Sequence, residues 1–137
     1  MRAYIAVSIA KSKTLTKELT AITETLARFN IESFVFVNEF HFSANEEKEL
    51  MLEAFRQIDK SDILFAEVSE KAIGVGIEIG YAKGHSKTII YARNANAEHS
   101  TTAGGASDFL IVYAGADDLS EKLSAVINQI NAKNIGA

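Results

Sequence analysis

One acidic residue, Glu78, stands in a segment whose composition suits the binding of a small ligand. Residues 63–68 form a short apolar run with β-branched and aromatic members, which predicts a buried strand. Gly74 and Gly76 follow and would let the backbone turn tightly into a helix. Glu78 would then lie in the first turn of that helix, where unpaired N–H groups and the helix dipole favour its ionised form. An ionised carboxylate at the mouth of a pocket can act as a nucleophile.

The same segment also allows a purely structural interpretation. A Glu in the first turn of a helix is common because it complements the helix dipole, and Gly-x-Gly alone is a weak signal. Metal chemistry finds little support, because His41, His85 and His99 lack the spacing of a site such as His-Glu-x-x-His. The chain contains no cysteine, which excludes disulfides and thiolate metal sites.

Length and charge limit the function classes further. With 137 residues the chain is expected to form one domain over 1–137. It carries 14 Lys and Arg against 18 Asp and Glu, a net charge of −4, so it lacks the basic excess of a nucleic-acid-binding protein. The apolar stretch 2–10 is too short for a signal peptide or a membrane span. We therefore expect a cytoplasmic protein that binds a small molecule, and neither nucleic acid nor a membrane.

Apolar periodicity predicts that strands and helices alternate. Strands are predicted at 4–9, 33–37, 63–68, 88–91 and 109–113. Apolar stripes at helical spacing predict two of the helices, through Leu15, Leu19, Ile22, Leu26 and Phe29 and through Leu119, Leu123, Val126 and Ile130. A capping-box pattern at 43–46 opens a third helix, whose inner face would be Met51, Ala54, Phe55 and Ile58. The alternation predicts a single-domain α/β protein with a doubly wound, parallel, five-stranded sheet of flavodoxin- or Rossmann-like type.

The predicted topology gathers polar residues at one edge of this sheet. Ligands of such sheets bind beyond the carboxyl ends of the strands, commonly between the first and third. Ser8 and Lys11, after the first strand, should therefore approach residues 69–78, after the third. Residues 93–107 form the one long irregular segment, which we expect to be mobile or completed by a partner chain.

Several short motifs of this chain occur together in a known pattern. They are Tyr4, Val7-Ser8-Ile9, Ser61-Asp62-Ile63, Ala66-Glu67-Val68-Ser69 and Gly74-Val-Gly-Ile-Glu-Ile-Gly-Tyr-Ala82. Together they resemble the nucleoside 2-deoxyribosyltransferase family. The similarity extends over residues 4–113. Within the family, Ser8-Ile9 and the Ser100 that precedes Gly105 by five positions resemble the branch of 2′-deoxynucleoside 5′-phosphate N-hydrolases.

This resemblance implies roles for individual residues. Glu78 matches the nucleophile that attacks C1′ of the deoxyribose, and Tyr4 matches a tyrosine that helps to place it. Ser100 matches a serine that reaches the phosphate site of the neighbouring subunit, which implies a homodimer or a dimer of dimers. No metal or organic cofactor is expected. The residues expected to bind substrate are Ser8, Ile9, Lys11, His41, Ser69, Gly74, Gly76 and Ser100.

The serines among these residues suggest a phosphate ligand. Hydroxyls and N–H groups around Ser8, Ser69 and Ser100 could hold a 5′-phosphate, with Lys11 as a point charge. This favours a deoxynucleoside monophosphate modestly over its nucleoside. Each serine can equally serve ordinary turn or cap chemistry, and Tyr4 can be a core aromatic residue.

Two positions depart from the family pattern. Ala54 stands where the family carries an Asp that holds or protonates the leaving base, and Ala72 stands where the hydrolases carry a phosphate-contacting Ser. Loss of a general acid lowers a rate by roughly 10² to 10⁴. His41 is the candidate replacement, because it follows the second strand and can donate a proton near neutral pH. The alternative interpretation is that His41 is an ordinary loop histidine exposed to water.

The sequence thus predicts an enzyme that cleaves or transfers the N-glycosidic bond of a 2′-deoxynucleoside or its 5′-monophosphate. The reaction would pass through a covalent glycosyl-Glu78 ester, with water as acceptor in hydrolysis and a base as acceptor in transfer. Two alternatives stay open. Ala54 and Ala72 also permit a non-catalytic nucleotide-binding sensor that keeps the pocket, and the fold permits a flavodoxin-like binding module for an unrelated phosphate ligand.

Overall fold

A five-stranded parallel sheet forms the centre of the protein. The computed structural model describes residues 1–39 and 41–136. The strands are β1 (Arg2–Val7), β2 (Glu32–Val35), β3 (Ile63–Glu67), β4 (Thr88–Asn94) and β5 (Phe109–Tyr113). They lie in the order β2-β1-β3-β4-β5, and every neighbouring pair is parallel. This confirms the predicted doubly wound α/β sheet, whose strand order reverses between β1 and β3.

Helices cover both faces of the sheet in the described residues. They are α1 (Ile9–Ser12), α2 (Thr16–Arg28), α3 (Phe36–Glu39), α4 (Glu47–Asp59), α5 (Ile73–Gly84), α6 (Thr101–Ala106) and α7 (Ala116–Gly136). The four long helices, α2, α4, α5 and α7, follow the predicted order. The predicted start of α4 at 43–46 is wrong, because α4 begins at Glu47 and the Glu46 carboxylate instead accepts the N–H and hydroxyl of Ser43 ahead of the helix. None of the described helices has the length and apolar character that a membrane span requires.

Alternating side chains of the strands build one core on each face. Ile5, Phe65 and Tyr113 pack with the apolar sides of α2 and α7 in one cluster. Tyr4 and Ala66 point the other way and pack with α4 and α5 in a second cluster. Because consecutive strand residues face opposite sides, β1 and β3 contribute to both clusters. The second face is the one that carries Tyr4 and Glu78.

Three short helices replace segments predicted as strand or loop. β1 ends at Val7 rather than at residue 9, because the carbonyl of Ser8 accepts the N–H groups of Lys11 and Ser12 in α1. β2 likewise ends at residue 35, and α3 follows directly. The predicted loop 93–107 is wrong in its second half, where Ser100 is the N-cap of α6 and its hydroxyl accepts the N–H of Ala103 at 3.4 Å.

Candidate active site

Glu78 lies on α5, but deeper in the helix than the sequence suggests. α5 begins at Ile73, with Ala72 as its extended N-cap residue, so Glu78 is past the first turn, which contains no acidic residue. Gly74 and Gly76 belong to the helix and do not adopt positive φ angles. The predicted glycine turn is therefore wrong. Buried Val75 and Ile79 anchor α5 on the sheet, and this tertiary packing overrides the poor helix propensity of glycine.

Tyr4 and Glu78 form the central pair of the site. Tyr4 is fully buried on β1, and its hydroxyl donates a hydrogen bond to the Glu78 carboxylate. Burial raises the pKa of Glu78 from 4.5 to about 7, an effect that the hydrogen bond from Tyr4 partly offsets. Burial, and then the adjacent Glu78, strongly raise the pKa of Tyr4, so it stays a protonated donor. The expectation that the helix dipole keeps Glu78 ionised is wrong, because desolvation is the larger effect.

A cavity of about 240 Å³ opens on Glu78, and we call it the Glu78 cavity. Ser8 and Glu78 supply the polar side chains among the described residues that line it. Ile9 and Gly74, two of the residues expected to bind substrate, also line it. Much of its wall is apolar and comes from Ile5, Val7, Phe36, Leu50, Met51 and Ala54. Such a wall suits a flat, weakly polar ring, and it explains why Glu78 is desolvated.

A second cavity of about 290 Å³ adjoins the first, and we call it the Ser100 cavity. The two cavities share Ala72 and Val75 in their walls. Ser100 and Gly76 line the second cavity together with Glu70. Ala72 therefore marks the boundary between the cavities.

Ser8 makes a contact that the sequence did not predict. Its side chain is buried, and its hydroxyl donates a hydrogen bond of 2.6 Å to Oε1 of Glu70. Because Ser8 lines the Glu78 cavity and Glu70 lines the Ser100 cavity, this bond lies at the junction of the two. Glu70 could not be found from apolar periodicity, since the contact joins residues 62 positions apart.

Ser69 stands apart from both cavities. Its hydroxyl donates to Glu67 at 2.7 Å and accepts the backbone N–H of Asn94 at 2.8 Å. Glu67 also accepts the N–H of Ser69 and the hydroxyl of Tyr113, which belongs to β5. This network fastens the carboxyl ends of β3, β4 and β5 to one another.

Two other predicted binding residues lie away from the cavities. Lys11 and His41 are exposed, and neither lines the Glu78 cavity or the Ser100 cavity. Asp62, in the motif before β3, accepts the N–H of Arg2 at 2.9 Å and so fixes the start of β1. Within the described residues, no cluster of three or more His, Asp or Glu side chains has the arrangement of a metal site.

Part of the apolar wall of the Glu78 cavity lies on a predicted helix face. Met51 and Ala54 were expected on the inner face of the helix that is α4, and both line the cavity. The sequence did not indicate Leu50 of α4 or Phe36 of α3 as wall residues. Ala54 is almost fully buried, so the position that the family pattern gives to an acid carries a methyl group facing the cavity.

Comparison with known proteins finds similarity in structure. Family models and curated protein sequences give no match. Solved structures that are similar include a CMP N-glycosidase from Clostridium botulinum, with a TM-score of 0.65 and 20% identity over 91% of this chain and 99% of that one. They also include a 2-deoxyribosyltransferase from Bacillus psychrosaccharolyticus, with a TM-score of 0.69 and 14% identity over 88% and 90%.

A conserved protein from Enterococcus faecalis V583 is similar as well, with a TM-score of 0.64 and 14% identity over 91% of this chain and 98% of that one. All three structures are covered almost completely. At these identities the likeness shows that the proteins share one fold.

Proposed function

We propose that this protein is a nucleoside 2-deoxyribosyltransferase-like enzyme that cleaves or transfers the N-glycosidic bond of a 2′-deoxynucleoside or its 5′-monophosphate. The single observation that carries the proposal is the partly buried Glu78 carboxylate, which Tyr4 holds at the wall of an otherwise mainly apolar cavity. Two of the structural neighbours, an N-glycosidase and a 2-deoxyribosyltransferase, support the same class of reaction.

The proposed reaction needs a carboxylate nucleophile close to C1′ of the bound deoxyribose. A carboxylate oxygen of Glu78 attacks C1′ while the C1′–N bond breaks and its electron pair leaves with the base. The resulting glycosyl ester is opened when water or a second base attacks C1′, which frees the carboxylate again. The hydroxyl of Tyr4 fixes one oxygen of Glu78 and leaves the other free to react.

A pKa near 7 suits this role. Glu78 with this pKa still ionises near neutral pH, and a carboxylate that is poorly solvated in its ionised state is a better nucleophile than one in water. The leaving base must still be protonated. Ala54 offers no acid, so the proton comes from solvent or from an exposed group such as His41, and we expect slow turnover.

A nucleotide-binding sensor is the second candidate. The buried methyl group of Ala54 favours it, because the wall of the cavity keeps its shape and lacks the acid. A sensor would bind nucleosides or nucleotides without releasing base.

The proposed working unit is a homodimer or a dimer of dimers in which Ser100 serves a neighbouring site. Ile73 is 86% exposed and Ile77 is 47% exposed on one face of α5, which a second copy would cover. Mixing a Glu78→Gln chain with a Ser100→Trp chain would then restore activity in heterodimers, because one of the two sites receives both intact residues. A fully active monomer at assay concentration would contradict this arrangement.

The function is tested by incubating the protein with the common 2′-deoxynucleosides, cytidine and their 5′-monophosphates, and measuring released base by chromatography. Adding a second free base distinguishes transfer from hydrolysis. We expect release by the wild type and by Glu24→Gln, which makes the same charge change at an exposed site on α2, but not by Glu78→Gln. Thermal stabilisation by a ligand without any release would instead support the sensor.

A further inference from the structure

A buried tyrosine connects β4 to the start of α6. Tyr91 is fully buried, and its hydroxyl oxygen accepts the backbone N–H of Ser100 at 3.1 Å. The same oxygen lies 2.8 Å from Nδ1 of His99. A buried hydroxyl needs an acceptor for its proton, and the described residues offer this one no acceptor other than Nδ1 of His99. Tyr91 therefore donates to Nδ1, and His99 is the neutral imidazole with its proton on Nε2.

The ring of His99 lies against a glycine of α6. A Cβ atom added to Gly104 would be 2.9 Å from Cε1 of His99 and 3.3 Å from Nε2. The optimum separation of two carbon atoms is about 3.5 to 4.0 Å, so a side chain at this position would displace the imidazole. Gly105 has nothing within 4 Å of the corresponding position. Because neither glycine has a positive φ, it is the space taken by His99 that requires a glycine at position 104.

These contacts hold one wall of the Ser100 cavity. Ser100, Thr102, Ala103 and Ala106 form the part of this wall that comes from the start and length of α6. The hydroxyl of Ser100 accepts the N–H of Ala103, and no acceptor among the described residues takes its proton, which is left for a ligand. With six residues α6 is too short to be stable by itself, so its place depends on contacts such as that of Ser100 with Tyr91.

We propose that His99 is a positioning residue: through Tyr91 it holds Ser100, and with it the α6 wall of the Ser100 cavity, where a ligand binds. This rests on the proposed function for the identity of the ligand. Neither His99 nor Tyr91 lines the Glu78 cavity or the Ser100 cavity, so the pair acts through Ser100 and not by touching the ligand. Gly104 belongs to the same arrangement, because it leaves room for the imidazole.

Nitrogen NMR and amide exchange of the ligand-free protein test the hydrogen bonds themselves. We expect the wild type to show His99 protonated at Nε2 and unprotonated at Nδ1, with a Ser100 amide that exchanges slowly with solvent. Tyr91→Phe should mix the two tautomers and speed exchange of the Ser100 amide at least about threefold, as loss of one hydrogen bond implies. A wild-type His99 protonated at Nδ1 overturns the proposal.

The adjacent glycines supply a matched pair of variants for the same measurement. Gly104→Ala should displace the imidazole, mix the tautomers and speed exchange of the Ser100 amide, whereas Gly105→Ala should leave all three unchanged. Alanine favours a helix over glycine at both positions, so helix propensity cannot account for a loss in Gly104→Ala alone. Wild-type tautomer and exchange in Gly104→Ala overturn the proposal.

Kinetic measurements test the effect on ligand binding, with the nucleoside or nucleotide that the wild type cleaves best. Glu78 lies outside the Ser100 cavity, so His99→Leu and Gly104→Ala should raise KM at least about threefold and leave kcat within about twofold. His99→Asn should restore most of KM, because its carbonyl oxygen can accept the Tyr91 hydroxyl in place of Nδ1. An unchanged KM in His99→Leu, or an equal rise in His99→Asn, overturns the proposal. If the wild type releases no base, the proposed function fails and the NMR result alone decides the role of His99.

Discussion

Two carboxylates, the buried Glu67 and the partly buried Glu78, each accept a hydrogen bond from a tyrosine, on opposite faces of the same sheet, yet their surroundings differ. Glu67 belongs to the face of α2 and α7, where the described residues give it three hydrogen bonds, from the N–H and hydroxyl of Ser69 and the hydroxyl of Tyr113. Glu78 belongs to the face of α4 and α5, where Tyr4 is the one donor that the described residues supply and a cavity adjoins.

The number of donors separates a structural acid from a reactive one. A carboxylate that accepts three hydrogen bonds has fewer lone pairs left for attack on a substrate than one that accepts a single bond. A carboxylate with one donor beside a cavity is poorly solvated, keeps a free oxygen and has a raised pKa. The same Tyr-carboxylate pair thus fastens strand ends on one face and offers a nucleophile on the other.

The largest expected effect comes from removing the reactive acid. Glu78→Gln should lower base release at least about 10³-fold, because a neutral amide cannot form the glycosyl ester. Glu67→Gln should retain base release when assayed below its unfolding temperature. Equal losses of activity per folded protein in both variants would remove the distinction between the two acids.

The second effect concerns stability, and here the substitution at Glu67 is the damaging one. In Glu67→Gln an amide NH₂ replaces an oxygen that accepts hydrogen bonds, so a buried donor faces another donor. We expect unfolding free energy to fall by about 2 to 4 kcal/mol, measured by urea denaturation. Tyr113→Phe should cost less, about 1 to 2 kcal/mol, since it removes one hydrogen bond and retains the packing. Wild-type stability in Glu67→Gln would show that the network does not hold the strand ends.

Tyr4→Phe should shift the pH profile of activity. Ionised Glu78 is the reactive form, so kcat/KM should fall about tenfold per pH unit below its pKa of about 7. The hydrogen bond from Tyr4 lowers that pKa, and its loss should move the acidic limb of the profile to higher pH. Tyr113→Phe is the matched control and should leave the limb in place. An unshifted limb in Tyr4→Phe would mean that Glu78 does not set it.

The smallest expected effect links Glu78 to stability. Its pKa is raised on folding, so the native state binds this proton more tightly than the unfolded state. This proton therefore stabilises the native state fully below pH about 4.5, and the stabilisation is lost as the pH rises through about 7. Glu78→Gln lacks it, so this variant should gain on the order of 2 kcal/mol relative to wild type between pH 4.5 and 8. A difference independent of pH would argue that Glu78 is not desolvated.

The sheet could be predicted because its signals are local. Apolar runs identify strands, and apolar stripes such as Leu119, Leu123, Val126 and Ile130 identify long helices, which the structure confirms. Helices of four to six residues, such as α1, α3 and α6, are too short to show a helical period. Their starts depend on single carbonyl and hydroxyl contacts, such as those of Ser8 and Ser100.

The candidate site could be predicted in part. Topology alone brings Tyr4, Ser8 and Glu78 together, because β1 and β3 are neighbours where the strand order reverses. The state of Glu78 could not be predicted, because its desolvation depends on apolar residues from α3 and α4. Hydrogen-bond partners that lie far apart in the sequence could not be predicted either. Tyr113 and Glu67, for example, are separated by 46 residues.

The most direct test of the distinction between Glu67 and Glu78 is to trap the covalent intermediate. A 2′-fluoro-substituted deoxynucleoside destabilises the sugar cation and slows breakdown of the ester, and mass spectrometry of the intact and digested protein then locates it. We predict one added glycosyl group on the peptide that contains Glu78, retained in Glu67→Gln and absent in Glu78→Gln. Base release from the probe without an adduct at Glu78, or an adduct on any other residue, would contradict the account.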